Sequence, residues 1–355
     1  MATMLNRSGL DRLARLSWRG LLVLNYHRIG RPGEADDPDL FSCTADEFDV
    51  HVASLADRFD IVAAGSDDWQ TGGPSRRIAI TVDDGYRDQM LAAEILAARG
   101  VPGSFFICTG FVDRPHHAWW DEIAWLLGGN PIDLPPTHWL PDGMPASQLS
   151  PTQYRRNVTN AYKRRAGDAG EEILDELSRW TGRPRLASER AAEQWMDWDM
   201  LRELRRLGME VGAHSVTHPV LATLSPPRQR TEIAGSVQRL RAELDSAVDL
   251  FSYPVGARTT FDATTRELLA ELGVRRAFSF YGGVNGKGSP TGLTSSGPGC
   301  SATTRRPWCR PCRRCPACCA PPRGTPEPFS ACPGSRTPCF EPSFCRDHDQ
   351  LVSLT

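Results

Sequence analysis

Long apolar runs are missing from this chain of 355 residues. The one continuous apolar stretch near the N-terminus, Leu21 to Leu24, is too short for the apolar region of a signal peptide and far too short to cross a bilayer. It reads as a first strand, Leu21–Asn25, leading into Tyr26 and His27. A soluble, cytoplasmic protein without a membrane span is expected. An excess of charge is missing too. The chain has 41 basic and 43 acidic residues, a net charge of −2, so nothing points to a nucleic-acid partner or an anionic surface. Cysteine is scarce before position 300, where only Cys43 and Cys108 occur; the other nine of the eleven lie between Cys300 and Cys345.

The C-terminal tail lacks the residues from which cores are made. Between Thr294 and Gln350 there is no Leu, Ile, Val or Met, while twelve prolines lie between Pro290 and Pro342. Such a segment cannot bury enough apolar surface to offset its ordering entropy. Residues 291–355 are therefore read as a low-complexity tail, disordered or encoded out of frame. Cys309, Cys312, Cys315 and Cys319 match an iron–sulfur spacing, but Ala320 follows where that run carries proline.

The rest, residues 1–290, repeats helix, glycine, strand. Thr44 and Glu47 form a capping-box signal ahead of the amphipathic run Phe48–Phe59. Ile61–Val62 and Arg77–Val82 read as strands. A helix over Asp88–Arg99 stops at Gly100 before the strand Ser104–Ile107. Met200–Leu207 stops at Gly208 before Met209–Ala213. Pro226, after Ser225, opens a helix reaching about Ala247. Leu250–Tyr253 is a strand, and the helix Thr264–Leu272 stops at Gly273 before Arg276–Phe280. Strands alternating with helices predict a parallel sheet with right-handed crossovers. The fold class is α/β: a (β/α) barrel of about seven strands, complete or distorted, with an open doubly wound sheet as the alternative. A long insertion, about 113–199, contains no clear strand and holds seven of the ten tryptophans. Helical runs such as Glu171–Trp180 suit it, and its tryptophans either shape a binding face or pack the insertion itself.

Two stretches carry chemistry. In Ile80-Thr-Val-Asp-Asp-Gly85, a strand ends in two adjacent acids followed by glycine. In Val211-Gly-Ala-His-Ser-Val-Thr-His-Pro219, His214 follows a strand, and His218 shares its face if one helical turn begins there. Barrel strands present their C-terminal ends on one rim, so the acids and histidines can meet. Two histidines and a carboxylate make a three-ligand site with an open position, the arrangement of catalytic zinc; iron, cobalt and manganese also suit it. One acid then binds the cation, which relieves the repulsion, and the other accepts a proton from the bound water. Two solvated acids in an Asp-Gly turn are the simpler alternative.

Thr81-Val82-Asp83-Asp84-Gly85 and His214-Ser215-Val216-Thr217-His218 resemble the first two motifs of the polysaccharide deacetylases with a nodulation-protein-type homology domain, carbohydrate esterase family 4. The resemblance covers about Leu21 to Phe280. It implies that Asp83 is the general base and that Asp84, His214 and His218 hold one divalent metal ion, zinc foremost. The third motif falls on Ser252-Tyr253-Pro254-Val255-Gly256. There Ser252 stands where the family has an arginine that orients the base, and Val255 replaces an aromatic residue. The Val255 backbone N–H is the expected oxyanion donor, with Tyr253 and His27 facing the substrate. Asn25-Tyr26-His27 is similar to members associated with exopolysaccharide synthesis. The family's later motifs, including a histidine that protonates the leaving amine, are missing; His348 stands in an unmatched context.

The implied activity is hydrolysis of N-acetyl groups on amino sugars of a polysaccharide or chitooligosaccharide. Asp83, once protonated, or His27 would supply the amine's proton. The alternatives are a catalytically impaired or glycan-binding remnant and a hydrolase of small amides. A glycosidase fits poorly, because its two acids must face each other across the bond.

Overall fold

The computed structural model describes residues 20–67, 76–129, 132–187, 189 and 191–280. The tail and its cysteine run lie outside them. Nine strands are present: β1 Gly20–Tyr26, β2 Arg28–Ile29, β3 Phe41–Cys43, β4 Asp60–Ile61, β5 Arg76–Asp84, β6 Ser104–Ile107, β7 Glu210–Ala213, β8 Leu250–Ser252 and β9 Arg276–Phe278. Seven make one parallel sheet in the order β1-β5-β6-β7-β8-β9, with β4 on the first half of the β5 edge that β6 continues. Strands β2 and β3 form a separate parallel pair, which the sequence reading missed.

The sheet is curled. Leu21, Ala79, Phe106, Leu250 and Phe278 share one inner cluster with Ala64, although they come from β1, β5, β6, β8 and β9. The Phe106 and Phe278 rings are 5.3 Å apart. In a flat sheet their strands, three steps apart, would be separated by about 14 Å. Among the described residues β1 and β9 are not paired, so the barrel is distorted and open between them.

The outer face of the sheet packs against helices α1 Ala45–Ala56, α2 Gln89–Ala98, α8 Trp198–Arg206, α9 Pro226–Leu244 and α10 Ala263–Glu271. The Thr44–Glu47 capping box starts α1 as its residues predict. Helices α2, α8 and α10 end alike: Gly100, Gly208 and Gly273 take positive φ, and the next residue donates back to the helix. Those bonds are Val101 N to Leu96 O at 2.9 Å, Met209 N to Leu204 O at 3.0 Å and Val274 N to Leu269 O at 2.9 Å. The apolar residue after each glycine enters the core, which completes a Schellman ending. The glycines thus aim each following strand.

Helix α3 Thr109–Asp113 leads into the insertion, which contains α4 Trp119–Leu126, α5 Pro151–Arg165, α6 Gly170–Thr181 and α7 Ala191–Gln194, and no strand among its described residues. It has its own core, built on Trp139, Trp195, Tyr154, Val158, Ile173, Leu174 and Leu177. No described helix is long and apolar enough to cross a membrane.

Gly212 in β7 shows how tight the barrel interior is. A Cβ there would lie 2.5 Å from the Phe106 ring and 3.0 Å from the Leu250 carbonyl, which is backbone and cannot swing aside. Gly212→Ala is expected to destabilise the fold by about 1–3 kcal/mol, seen as a lowered midpoint in chemical denaturation. An unchanged midpoint would mean the interior is looser than this geometry.

Candidate active site

Strand β5 sends Ala79, Thr81 and Asp83 to the inner face, and Ile78, Ile80 and Val82 toward the helices. Alternation would send Asp84 outward as well. Instead Asp84 takes φ +86° and Gly85 φ +92°, so the chain turns at once and both carboxylates end in one buried place. Five described residues other than glycine have positive φ, and four of them, Asp84, Ser215, His218 and Val255, lie here. Such backbone costs of order 1–3 kcal/mol per residue and collects at functional sites.

His214 follows β7, its N–H donating to Ile107 O at 3.0 Å. Its Nδ1 pairs with Ser252 O at 2.7 Å, which leaves Nε2 facing the acids. Nε2 is 3.5 Å from both Asp83 Oδ2 and Asp84 Oδ1, and His218 Nε2 is 3.5 Å from the same Asp84 Oδ1. The expected helical turn between the histidines is not there. A loop brings them together instead, because Glu232 on α9 clamps it. Glu232 accepts from Val216 N at 2.9 Å, Thr217 N at 2.8 Å and Thr217 Oγ1 at 2.8 Å. Ser215 Oγ accepts from His218 N at 3.0 Å.

The ligand atoms of Asp84, His214 and His218 all lie within 4.8 Å of one another. Asp84 Oδ1 is buried without a hydrogen-bond partner, at the point where both imidazoles converge. A cation fits that gap and supplies the missing partner. Burial raises the Asp83 carboxyl above the usual range, against the pull of His214, His27 and Ser252. In Asp84, burial is outweighed by His214, His218 and His27, which hold the carboxyl at about 2. Burial pushes His218 down to about 3, with the charge of His214 adding to it. Its neutral form is the one that ligates metals. In His214, burial is outweighed by the two aspartates and the pKa is raised.

Asp83 is fully buried. Ser252 Oγ donates to its Oδ2 at 2.9 Å, while its Oδ1 has no partner. Ser252 thus tethers Asp83 where an arginine was expected to do so. The cavity above, about 250 Å³, is lined by Asp84, His214, His218, His27, Val255, Phe280 and residues of the insertion, among them Trp119, Trp120 and Lys163. The backbone N–H of Val255 has no acceptor among the described residues. Tyr253 corrects the sequence reading. Its ring stacks on Phe261 at 3.8 Å in the main core and does not line the cavity, because alternation after Ser252 turns it to the helix side.

A family model described as polysaccharide deacetylase matches residues 70–277, more than half of the chain. The chain belongs to the polysaccharide deacetylase family. Solved structures similar to it include the Streptococcus pyogenes deacetylase PplD in complex with acetate, at 16% identity over 76% of this chain and 88% of that one, with a TM-score of 0.48. IcaB from Ammonifex degensii is similar at 18% identity over 79% and 94%, with a TM-score of 0.48. The BpsB deacetylase domain from Bordetella bronchiseptica is similar at 18% over 78% and 94%, with a TM-score of 0.46. No curated protein matches the chain. Asp83, Asp84, His214, His218 and Val255 fall within the deacetylase match; His27 and Phe280 lie outside it.

The insertion buttresses this candidate site. Trp119 Nε1 donates to His218 O at 3.1 Å. Trp120 sets its edge against the His218 ring at 4.5 Å. Its Nε1 donates to Tyr86 Oη at 2.7 Å, which donates to Asp121 Oδ2 at 2.8 Å. Neither Glu232 nor Asp121 was singled out from the sequence; each acts at a distance in the chain that no local pattern spans.

Glu232→Ala should weaken divalent-ion binding about 10- to 100-fold in a calorimetric titration while circular dichroism stays unchanged. Unaltered affinity would show that the clamp does not set His218. Burial pushes the Asp121 carboxyl up to about 7. A raised pKa means the folded state holds the proton more tightly. The stability Asp121 contributes is therefore complete below the ordinary carboxylate range and is lost as pH rises through about 7. The stability difference between the parent and Asp121→Asn should follow that course in denaturant titrations at several pH values; a pH-independent difference would contradict it.

Proposed function

We propose that the protein removes N-acetyl groups from amino sugars of a polysaccharide or chitooligosaccharide, with one divalent ion, zinc foremost, held by Asp84, His214 and His218. The observation that carries this reading is the convergence of those three ligand atoms beside Asp83, under an aromatic-walled cavity, in a chain of the deacetylase family. When bound, the ion would polarise the acetyl carbonyl and make the attacking water more acidic.

The remaining roles belong to the protein. Asp83, held through Oδ2 by Ser252, has Oδ1 left to take the proton of the attacking water. The Val255 N–H is the candidate oxyanion donor, since Val255 lines the cavity with a positive φ of +63°. Trp119 and Trp120, largely buried, give the cavity an apolar wall. The tether from Ser252 speaks against a degenerate remnant, since the base remains positioned without the family's arginine.

Acetate release from N-acetylglucosamine oligomers tests the reading. Asp83→Asn should keep the metal and lose about 10²–10⁴-fold in kcat/KM, whereas Asp84→Asn should weaken metal binding itself. If the two variants behave alike in metal titration, the division of roles is wrong. If the metal-loaded parent releases no acetate, so is the activity.

A further inference from the structure

Asp83 and His27 come from neighbouring strands, yet the sheet does not set the distance between them. Strands β1 and β5 pair in register as far as Tyr26 and Val82, one residue short of both. There β1 leaves the sheet, and His27 N donates to Ser42 Oγ at 3.0 Å instead of to β5. On its other edge β5 pairs onward, Asp83 with Phe106 and Asp84 with Ile107 of β6, and Asp84 O accepts from Cys108 N at 3.2 Å. Successive carbonyls of a strand face opposite edges, so Asp83 O points to the edge that β1 has left.

Gln89, the first residue of α2, closes that gap. Its Nε2 donates to His27 O at 3.1 Å and to Asp83 O. A side-chain amide nitrogen carries two protons, and these two carbonyls take both. Asp88, the residue before it, grips the same segment. Its carboxylate accepts from Ile29 N at 3.2 Å and from Arg28 Nε at 2.7 Å. The start of α2 thus holds three consecutive residues, 27 to 29, and ties the first of them to Asp83.

Gln89 is fully buried, and its Oε1 has no hydrogen-bond partner, so its donors alone engage the amide. An apolar side chain there would leave both carbonyls unpaired and the two strand ends free to part. The groups it joins belong to one place. His27 lines the cavity with Asp84, His214 and His218. Burial raises the Asp83 carboxyl, and His27 is one of the groups that pull against it.

We propose that Gln89 is a positioning residue that fixes His27 against Asp83, so that both meet the same acetylated amine; this role rests on the deacetylase reading above. Gln89 itself touches neither substrate nor proton. Its amide does for the ends of β1 and β5 what ladder hydrogen bonds do earlier in the two strands. That arrangement lets β1 diverge, which opens the cavity, without letting the base and the imidazole drift apart. A misplacement of about 1 Å between reacting groups can cost about 10²-fold in rate.

Full-length Gln89→Met keeps the length of the side chain and removes both donors; Gln89→Leu is measured beside it in case one of them folds poorly. Divalent-ion affinity in a calorimetric titration should stay at the parent's value, because other contacts hold His214 and His218. On N-acetylglucosamine oligomers kcat should fall about 10²-fold while KM stays put. The loss should shrink when Asp83 is already Asn, or His27 already Ala, because residues that act together are not additive. An unchanged kcat, a loss of equal size in all three backgrounds, or a parallel loss of metal affinity would overturn the proposal. The parent offers a readout that no variant's folding can confuse: both protons of the Gln89 side-chain amide should exchange slowly with solvent in ¹⁵N-resolved spectra, and fast exchange of either would also overturn it. If the metal-loaded parent releases no acetate, the deacetylase reading itself fails and takes the proposal with it.

Discussion

Two carboxylates on consecutive residues share a buried site only where the backbone breaks strand alternation and imidazoles face them. Both conditions are met at the end of β5. Asp84 takes a left-handed conformation that glycine would adopt freely, and Gly85 completes the turn. His214 and His218 then approach the pair from β7 and the loop beyond it. The electrostatics separate the two acids, with Asp83 raised and Asp84 lowered. One carboxylate suits a ligand and the other a proton acceptor, though their chemistry is identical and their positions adjacent.

The curl of the sheet makes this pairing possible. Ser252 on β8 is three strands from β5 in sheet order, yet its hydroxyl reaches Asp83 across the interior while its carbonyl takes the proton of His214 Nδ1. One residue therefore orients both a candidate metal ligand and the candidate base. An arginine would fill the same interior with a longer side chain; serine suffices because the curvature brings β8 close.

The insertion is a structural partner of the barrel and forms a wall of its cavity. Arg28 lies between the rings of Phe41 and Tyr86, 4.4 and 4.3 Å from their centres, and pairs with Asp36 and Asp88. Tyr86 joins Asp121 and Trp120, and Trp120 meets His218. A buried chain of contacts thus runs from the first strands through the insertion to His218. Because each member depends on the next, the wall carrying Trp119 and Lys163 is held in register with the site.

Local signals in the sequence determined the seven strands of the main sheet, the helix starts at Thr44 and Ser225 and the glycine stops at 100, 208 and 273, and they marked Asp83, Asp84, His214 and His218 as candidates. Each is a short-range pattern, a cap, a period or a motif, whose physics is complete within a few residues. Local pattern failed where long-range packing decides. The turn between the histidines is set by Glu232, Tyr253 is drawn into the core by Phe261, and Ser252 tethers Asp83 from a distant strand. The tryptophans of the insertion divide on the same ground: Trp119 and Trp120 face the cavity while Trp139 and Trp195 are core, and nothing in their spacing separates them. Which side chains line one cavity depends on how the sheet curls and where the insertion docks, and both are properties of the assembled chain.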